Sequence, residues 1–145
     1  MKKKTFWAFL TGICSLIFCG CWDITTDHQL SLTNKTGREI SFLYSNNAKS
    51  NSPDNNVAFY ASNENVIKPD STKDIIILGN GDAWHNYIDA GSSKKLSLYI
   101  FETDTLYNYN GTTPISNLVN KNKYFKLLTY SEKELDKNNW HITVQ

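Results

Sequence analysis

The chain has 145 residues, 40% of them hydrophobic and 20% charged, with a formal net charge of +1. That is the length of one ordinary domain, and near-neutral charge with no basic stripe argues against nucleic acid as a partner. The three cysteines, Cys14, Cys19 and Cys21, crowd the N-terminus, so neither a disulfide nor a Cys-based metal site is expected in the folded domain.

The chain opens with Lys2, Lys3 and Lys4, followed by an apolar run from Phe6 to Phe18. About thirteen apolar residues are too few for a bilayer core, which needs roughly twenty, but suit the central region of a secretion signal. An ordinary cleavage site wants small residues at the first and third positions before the cut. Before Cys21 these are Gly20 and Phe18, and Phe18 is too bulky. Phe18-Cys19-Gly20-Cys21 instead resembles a lipoprotein signal, in which the cysteine is kept as a lipid-modified N-terminus. Cys14 and Cys19 follow the large Ile13 and Phe18 and are poor lipidation sites. The expected organisation is a lipoprotein signal peptide over 1–20, a lipidated tether over 21–28 and a single β-rich domain over 29–145. Every acidic residue lies after Cys21 while the three leading lysines leave with the signal, so the mature chain is weakly acidic.

Along that domain, Gln29–Thr33 places Leu30 and Leu32 on one face, and Arg38–Tyr44 alternates Ile40, Phe42 and Tyr44. With Asn34-Lys35-Thr36-Gly37 between them, a β-hairpin is expected. Ser45–Asn56, rich in Asn and Ser and containing Pro53, reads as a loop. Val57–Ala61, Asn65–Lys68 and Lys73–Leu78 are short strand candidates, with a turn at Pro69-Asp70-Ser71 and another at Asn80-Gly81-Asp82. Lys95–Glu102 is the clearest strand. Leu96, Leu98 and Ile100 face one way and Tyr99 and Phe101 the other, the pattern of a central strand covered on both sides. Thr113-Pro114 fits an N-cap and first helical position opening a helix to about Val119. Ser131-Glu132-Lys133-Glu134 reads as a capping box for a second helix ending at Asn138-Asn139. Trp140, Ile142 and Val144 alternate as a closing strand. The expected fold is mainly β: an antiparallel, Ig-like β-sandwich with one or two short helices near the C-terminus.

The segment Leu96-Ser97-Leu98-Tyr99-Ile100-Phe101-Glu102-Thr103-Asp104-Thr105-Leu106 resembles one found in uncharacterised lipoproteins of Bacteroides and its relatives. In those proteins an apolar strand runs into an aspartate-threonine-leucine step. Tyr124–Val144 is similar to a second segment of that family, through Leu127, Leu128, Tyr130, Ser131, Leu135, Asn139 and Trp140. Thr129 stands where the relatives carry a basic residue. The resemblance covers about half of the chain after Cys21. It implies the envelope address and the domain class, and no activity comes with it.

Candidate chemistry is sparse. Asp82, His85 and Asp89 could meet as metal ligands only on a helical turn, and the competing reading is a polar turn with Trp84 packed inward; no metal site is expected. Glu102 and Asp104 form a carboxylate pair of the kind strands commonly carry for structural reasons. The sequence holds no nucleophile elbow, zinc-protease pair or phosphate-binding loop, so no cofactor is expected. Aromatics fill the last third, and most are expected in a core. Tyr107 and Tyr109, in Tyr107-Asn108-Tyr109-Asn110-Gly111, read as loop residues whose rings could stack on a sugar. Asp70-Ser71-Thr72 and Asp104-Thr105-Leu106 resemble a short O-glycosylation motif, with Ser71 the better placed of the two. The resulting expectation is a non-enzymatic binding or structural module held to the outer membrane of the cell envelope by its lipid, meeting a glycan or an envelope protein. The alternatives are a fimbrial or adhesin-type subunit and a small envelope hydrolase.

Overall fold

Two strands with different side-chain patterns sit at the centre of two small sheets. The computed structural model describes residues 25–47 and 55–145; Cys21, the signal segment and the middle of the Ser45–Asn56 loop lie outside the described residues. Strand β1 (Thr26–Asn34) is flanked by β3 (Thr72–Leu78) and β6 (His141–Val144), while β4 (Lys95–Glu102) is flanked by β2 (Ile40–Ser45) and β5 (Lys126–Ser131). All pairings are antiparallel except β1 with β6, which is parallel. The chain is therefore mainly β, built as two three-stranded sheets.

The apolar patterns explain the layering. From β1 come Leu30 and Leu32, from β3 Ile75, from β6 Ile142 and Val144, from β2 Ile40, and from β4 Leu96, Leu98 and Ile100. All are buried in one cluster, so the two sheets share an apolar interface. Trp84 and Ile88 of α2 (Ala83–Ala90) and Leu135 of α5 (Glu132–Lys137) close that cluster. On its other face β4 puts Tyr99 and Phe101, with Leu43 of β2, into a second cluster. Its remaining members come from α1 (Val57–Tyr60), α3 (Thr103–Tyr107) and α4 (Ile115–Asn120). The two-faced reading of this strand therefore holds for Leu96, Leu98 and Ile100 on one side and Tyr99 and Phe101 on the other.

The expected hairpin does not form. Gly37 makes its turn at φ 74°, but β1 and β2 diverge into different sheets. Both edges of β1 are already taken. Asn34 N–H donates to Ser71 C=O at 2.9 Å on one side, and Ser31 N–H donates to Trp140 C=O at 3.0 Å on the other. The fully buried Asn34 fastens the crossing between sheets. Its Nδ2 donates to the carbonyls of Arg38 (2.6 Å) and Ile67 (2.9 Å), and its Oδ1 accepts the N–H and hydroxyl of Thr36.

Other expectations need correcting. Strand β1 opens at Thr26 rather than Gln29. Asp27 is buried, and its carboxylate accepts Gln29 N–H at 3.0 Å and Trp84 N–H at 3.1 Å. The second bond satisfies an orphan donor in the first turn of α2. Val57–Tyr60 is helical rather than extended, and Asn65–Lys68 contributes only the Ile40–Ile67 bridge. Five short helices are present among the described residues, three of them before the last quarter of the chain. Pro114 occupies the N-cap of α4, one position earlier than expected in helical terms.

The C-terminal device is as expected. Glu134 accepts the N–H and the hydroxyl of Ser131, each at 2.7 Å, and those two hydrogen bonds hold its carboxyl below the ordinary carboxylate range. At the other end of α5, Asn139 takes φ 49° and Trp140 φ 57°. Trp140 N–H reaches back to Leu135 C=O (2.8 Å) and Asn139 N–H to Asp136 C=O (3.0 Å), a Schellman motif with Trp140 against Leu135 as its apolar contact. This sharp stop sends the chain directly into β6 beside β1.

Candidate functional site

Strand β3 is an edge of one sheet and β2 an edge of the other, and residues of both line one cavity. Between those edges lies a groove of about 320 Å³. Its walls are Phe42, Leu43 and Tyr44 from β2, Phe59 and Tyr60 from α1, and Lys73 to Ile76 from β3, with Asn55 and Asn65 at its margins.

Local folding places these groups. Helix α1 is tied down by Val57 N–H to Thr113 C=O (2.8 Å) and Ala58 N–H to Gly111 C=O (3.1 Å). Asn65 Nδ2 donates to Phe59 C=O at 2.7 Å, fixing the end of the helix. Phe59 and Tyr60 meet edge to face at 5.1 Å; Tyr60 is buried in the second cluster while Phe59 stays 48% exposed. Tyr44 meets Trp84 at 5.1 Å and Tyr87 at 5.5 Å, and burial, followed by the neighbouring Tyr87, raises its hydroxyl above the ordinary tyrosine range. Lys73 Nζ donates to Glu64 C=O. The groove is thus mainly aromatic and aliphatic, with one cation, one carboxylate (Asp74) and two amides at its rim.

The residues singled out from sequence lie elsewhere. Tyr107, 63% exposed, ends α3, whereas Tyr109 is half-buried against the second cluster; neither lines the groove. Of the stretch read as a loop, Tyr107 ends the helix and residues 108–111 are turn and irregular structure. Asp82, His85 and Asp89 do fall at and on helix α2, but they are not brought together. His85 Nδ1 meets Glu132 Oε1 at 2.7 Å, its ring packs 4.8 Å from that of Trp140, and Asp89 pairs with Lys94 at 2.7 Å. Among the described residues no three His, Cys, Asp or Glu side chains are placed to hold a metal ion. Glu102 accepts from Arg38 at 2.6 Å, and Asp104 sits in the first turn of α3. Ser71 is half-buried in the turn after Asp70, which pairs with Lys35 at 2.9 Å.

Sequence reasoning missed the groove. Phe42 and Tyr44 were visible as strand residues and Phe59 as an aromatic, but no motif links them. The cavity exists only because edges from different sheets meet. No helix among the described residues is long and apolar enough to cross a membrane. No protein-family profile, curated protein or solved structure matches this chain.

Proposed function

We propose that the protein is a non-catalytic, lipid-anchored binding module of the bacterial cell envelope, held to the outer membrane through Cys21, with the groove between β2, α1 and β3 as its ligand site. The groove carries this reading. It is concave and mainly apolar, with a few polar groups at its rim, the composition of ligand sites in general. Exposed Phe59 and Ile76 line it, which a core without a partner would bury. The sequence of residues 1–21 supplies the anchor. The two sheets sharing one cluster support a small sandwich-like domain as the rigid platform. Of the polar side chains that suggested chemistry in the sequence, His85, Asp89 and Glu102 make ion pairs instead, which favours binding over catalysis.

The test has two parts. Cells fed a palmitate analogue should label the wild type and not Cys21→Ala, and protease shaving of intact cells should report which face of the outer membrane the domain occupies. Unchanged membrane fractionation of Cys21→Ala would overturn the anchor. For the groove, the full lipoprotein in detergent is screened against glycan and peptide arrays, and Phe59→Ala should lose at least tenfold in affinity for whatever binds. Equal binding by Phe59→Ala would overturn the assignment of the site.

A second reading, an adhesin-type or fimbrial subunit that recruits neighbours by strand addition, is favoured by one observation. Strand β3 is an edge whose Ile76 and Leu78 are 49% and 73% exposed, and apolar edges invite pairing with another chain.

A further inference from the structure

The groove touches its walls in an unusual way. Successive residues of a strand point to opposite faces, yet the lining includes three consecutive residues of β2 and four consecutive residues of β3. A cavity lined by consecutive residues approaches a strand from its edge, where the main-chain groups lie, and not from one face.

On β3 those groups can be assigned. At one end Asn34 N–H donates to Ser71 C=O, and at the other Gly79 N–H donates to Thr25 C=O. Both bonds turn the odd-numbered positions toward β1. By the two-residue alternation of an antiparallel ladder, Asp74, Ile76 and Leu78 turn their N–H and C=O groups outward, and Asp74 and Ile76 do so at the groove. Edges that avoid company carry proline, bulges or several charges. Here the irregularity lies in β1, between Asp27 and Leu30, and β3 carries one charge of each sign, Lys73 and Asp74, before running on as Ile75-Ile76-Ile77-Leu78. Across the groove, β2 already holds one added rung: Ile40 and Ile67 exchange both main-chain bonds, at 3.1 and 2.7 Å. The cavity lies further along β2, beyond that rung, and about 320 Å³ accepts a few side chains and not a folded domain.

We infer that the groove receives an extended peptide strand from another envelope protein, paired with the outer edge of β3 and inserting an apolar side chain at every second position between β3 and the rings of Phe42 and Phe59. Main-chain bonds to Asp74 and Ile76 give affinity, and the apolar walls select the alternating pattern, the recognition mode of strand addition. This rests on the reading of the groove as the ligand site and names its ligand class.

A phage library of peptides about a dozen residues long, somewhat more than an ordinary strand, is panned on the full lipoprotein in detergent, and selected peptides are followed by amide hydrogen exchange. Selected peptides should alternate apolar residues and protect the amides of Asp74, Ile76 and Leu78. Ile76→Pro, which deletes an outward N–H at an edge where proline is tolerated, should weaken binding at least tenfold. Ile76→Thr, which keeps the N–H, should weaken it less. Peptides that bind with those amides unprotected and with Ile76→Pro equal to wild type overturn the inference. The exchange experiment on the wild type decides even if the proline variant fails to fold. Binding of glycans alone, lost in Phe59→Ala, overturns the strand and leaves the binding module standing. No ligand of either kind and no effect of Phe59→Ala removes both. Concentration-dependent self-association that Ile76→Pro abolishes makes a second copy the occupant and overturns the choice of a foreign strand.

Discussion

The two sheets share one apolar interface but differ in their outer faces. Behind β2, β4 and β5 lies a second cluster in which Tyr99 and Phe101 pack against residues of α1, α3 and α4. On the outer side of β1, the register aligns Thr72, Thr33 and Thr143 in one row and Asp74, Ser31 and His141 in the next. Four of these side chains bond one another. His141 Nδ1 meets Ser31 Oγ at 2.8 Å, its Nε2 meets Thr33 Oγ1 at 3.0 Å, and Thr33 meets Thr72 at 2.6 Å. The central strand of one sheet is a near-continuous apolar run and that of the other alternates, so the number of layers on each side follows from side-chain pattern. The groove opens between the edges of these unlike sheets, where neither cluster is closed.

The largest expected effect breaks the covered face. Phe101 is fully buried behind β4, so Phe101→Ala should cost about 3–5 kcal/mol in urea unfolding followed by circular dichroism. A cost below about 1 kcal/mol would mean that the three helices do not form a second core. Next is the crossing between the sheets. Asn34→Ala leaves the carbonyls of Arg38 and Ile67 without their amide donor and should cost about 1–3 kcal/mol. Asn34→Asp should do no better, because a carboxylate cannot donate to those carbonyls.

That crossing marks where the sequence stopped being informative. Asn-Lys-Thr-Gly between two alternating segments is a good hairpin signal, and the turn is real. What the local pattern could not show is that β3 and β6, 39 and 110 residues further on by the Thr33–Thr72 and Asn34–Val144 pairs, occupy both edges of β1 first. Val57-Ala58-Phe59-Tyr60 has strand-like composition, but its Val57 and Ala58 N–H groups donate to the carbonyls of Thr113 and Gly111 and hold the first turn as helix, a tertiary override of propensity. Strand β4 and the Ser131 capping box were legible because a two-sided apolar run and a three-residue reciprocal cap are local facts. The groove was not, since its walls come from segments separated by a helix and a turn and meet only at sheet edges.

A smaller effect tests the device that delivers β6 to the bare-faced sheet. Glu134 titrates below the ordinary carboxylate range because it accepts from the Ser131 hydroxyl and N–H. A folded-state value below the unfolded one adds stability that is complete above the unfolded carboxylate range and is lost as pH falls through the lower folded value. Acidification should therefore loosen the start of α5 only below the usual carboxylate range, seen as faster exchange of the Ser131 amide. Glu134→Gln should remove that pH dependence. An amide whose exchange follows the same acid profile in both proteins would show that another carboxyl group is responsible.

The smallest effect belongs to the uncovered face, and it completes the contrast with Phe101. Thr143 is exposed on β6, in the row with Thr33 and Thr72. Valine keeps the β-branched shape that suits a strand, and an exposed strand side chain loses no burial, so Thr143→Val should change stability by no more than about 0.5 kcal/mol. Phe101 lies on the covered far side of its sheet and Thr143 on the uncovered far side of the other. If Thr143→Val instead stabilised or destabilised by more than about 1 kcal/mol in the same urea titration, the outer face of β1 would be covered in solution. The row of hydroxyls around His141 would then have to be read as an interface and not as the solvated side of the domain.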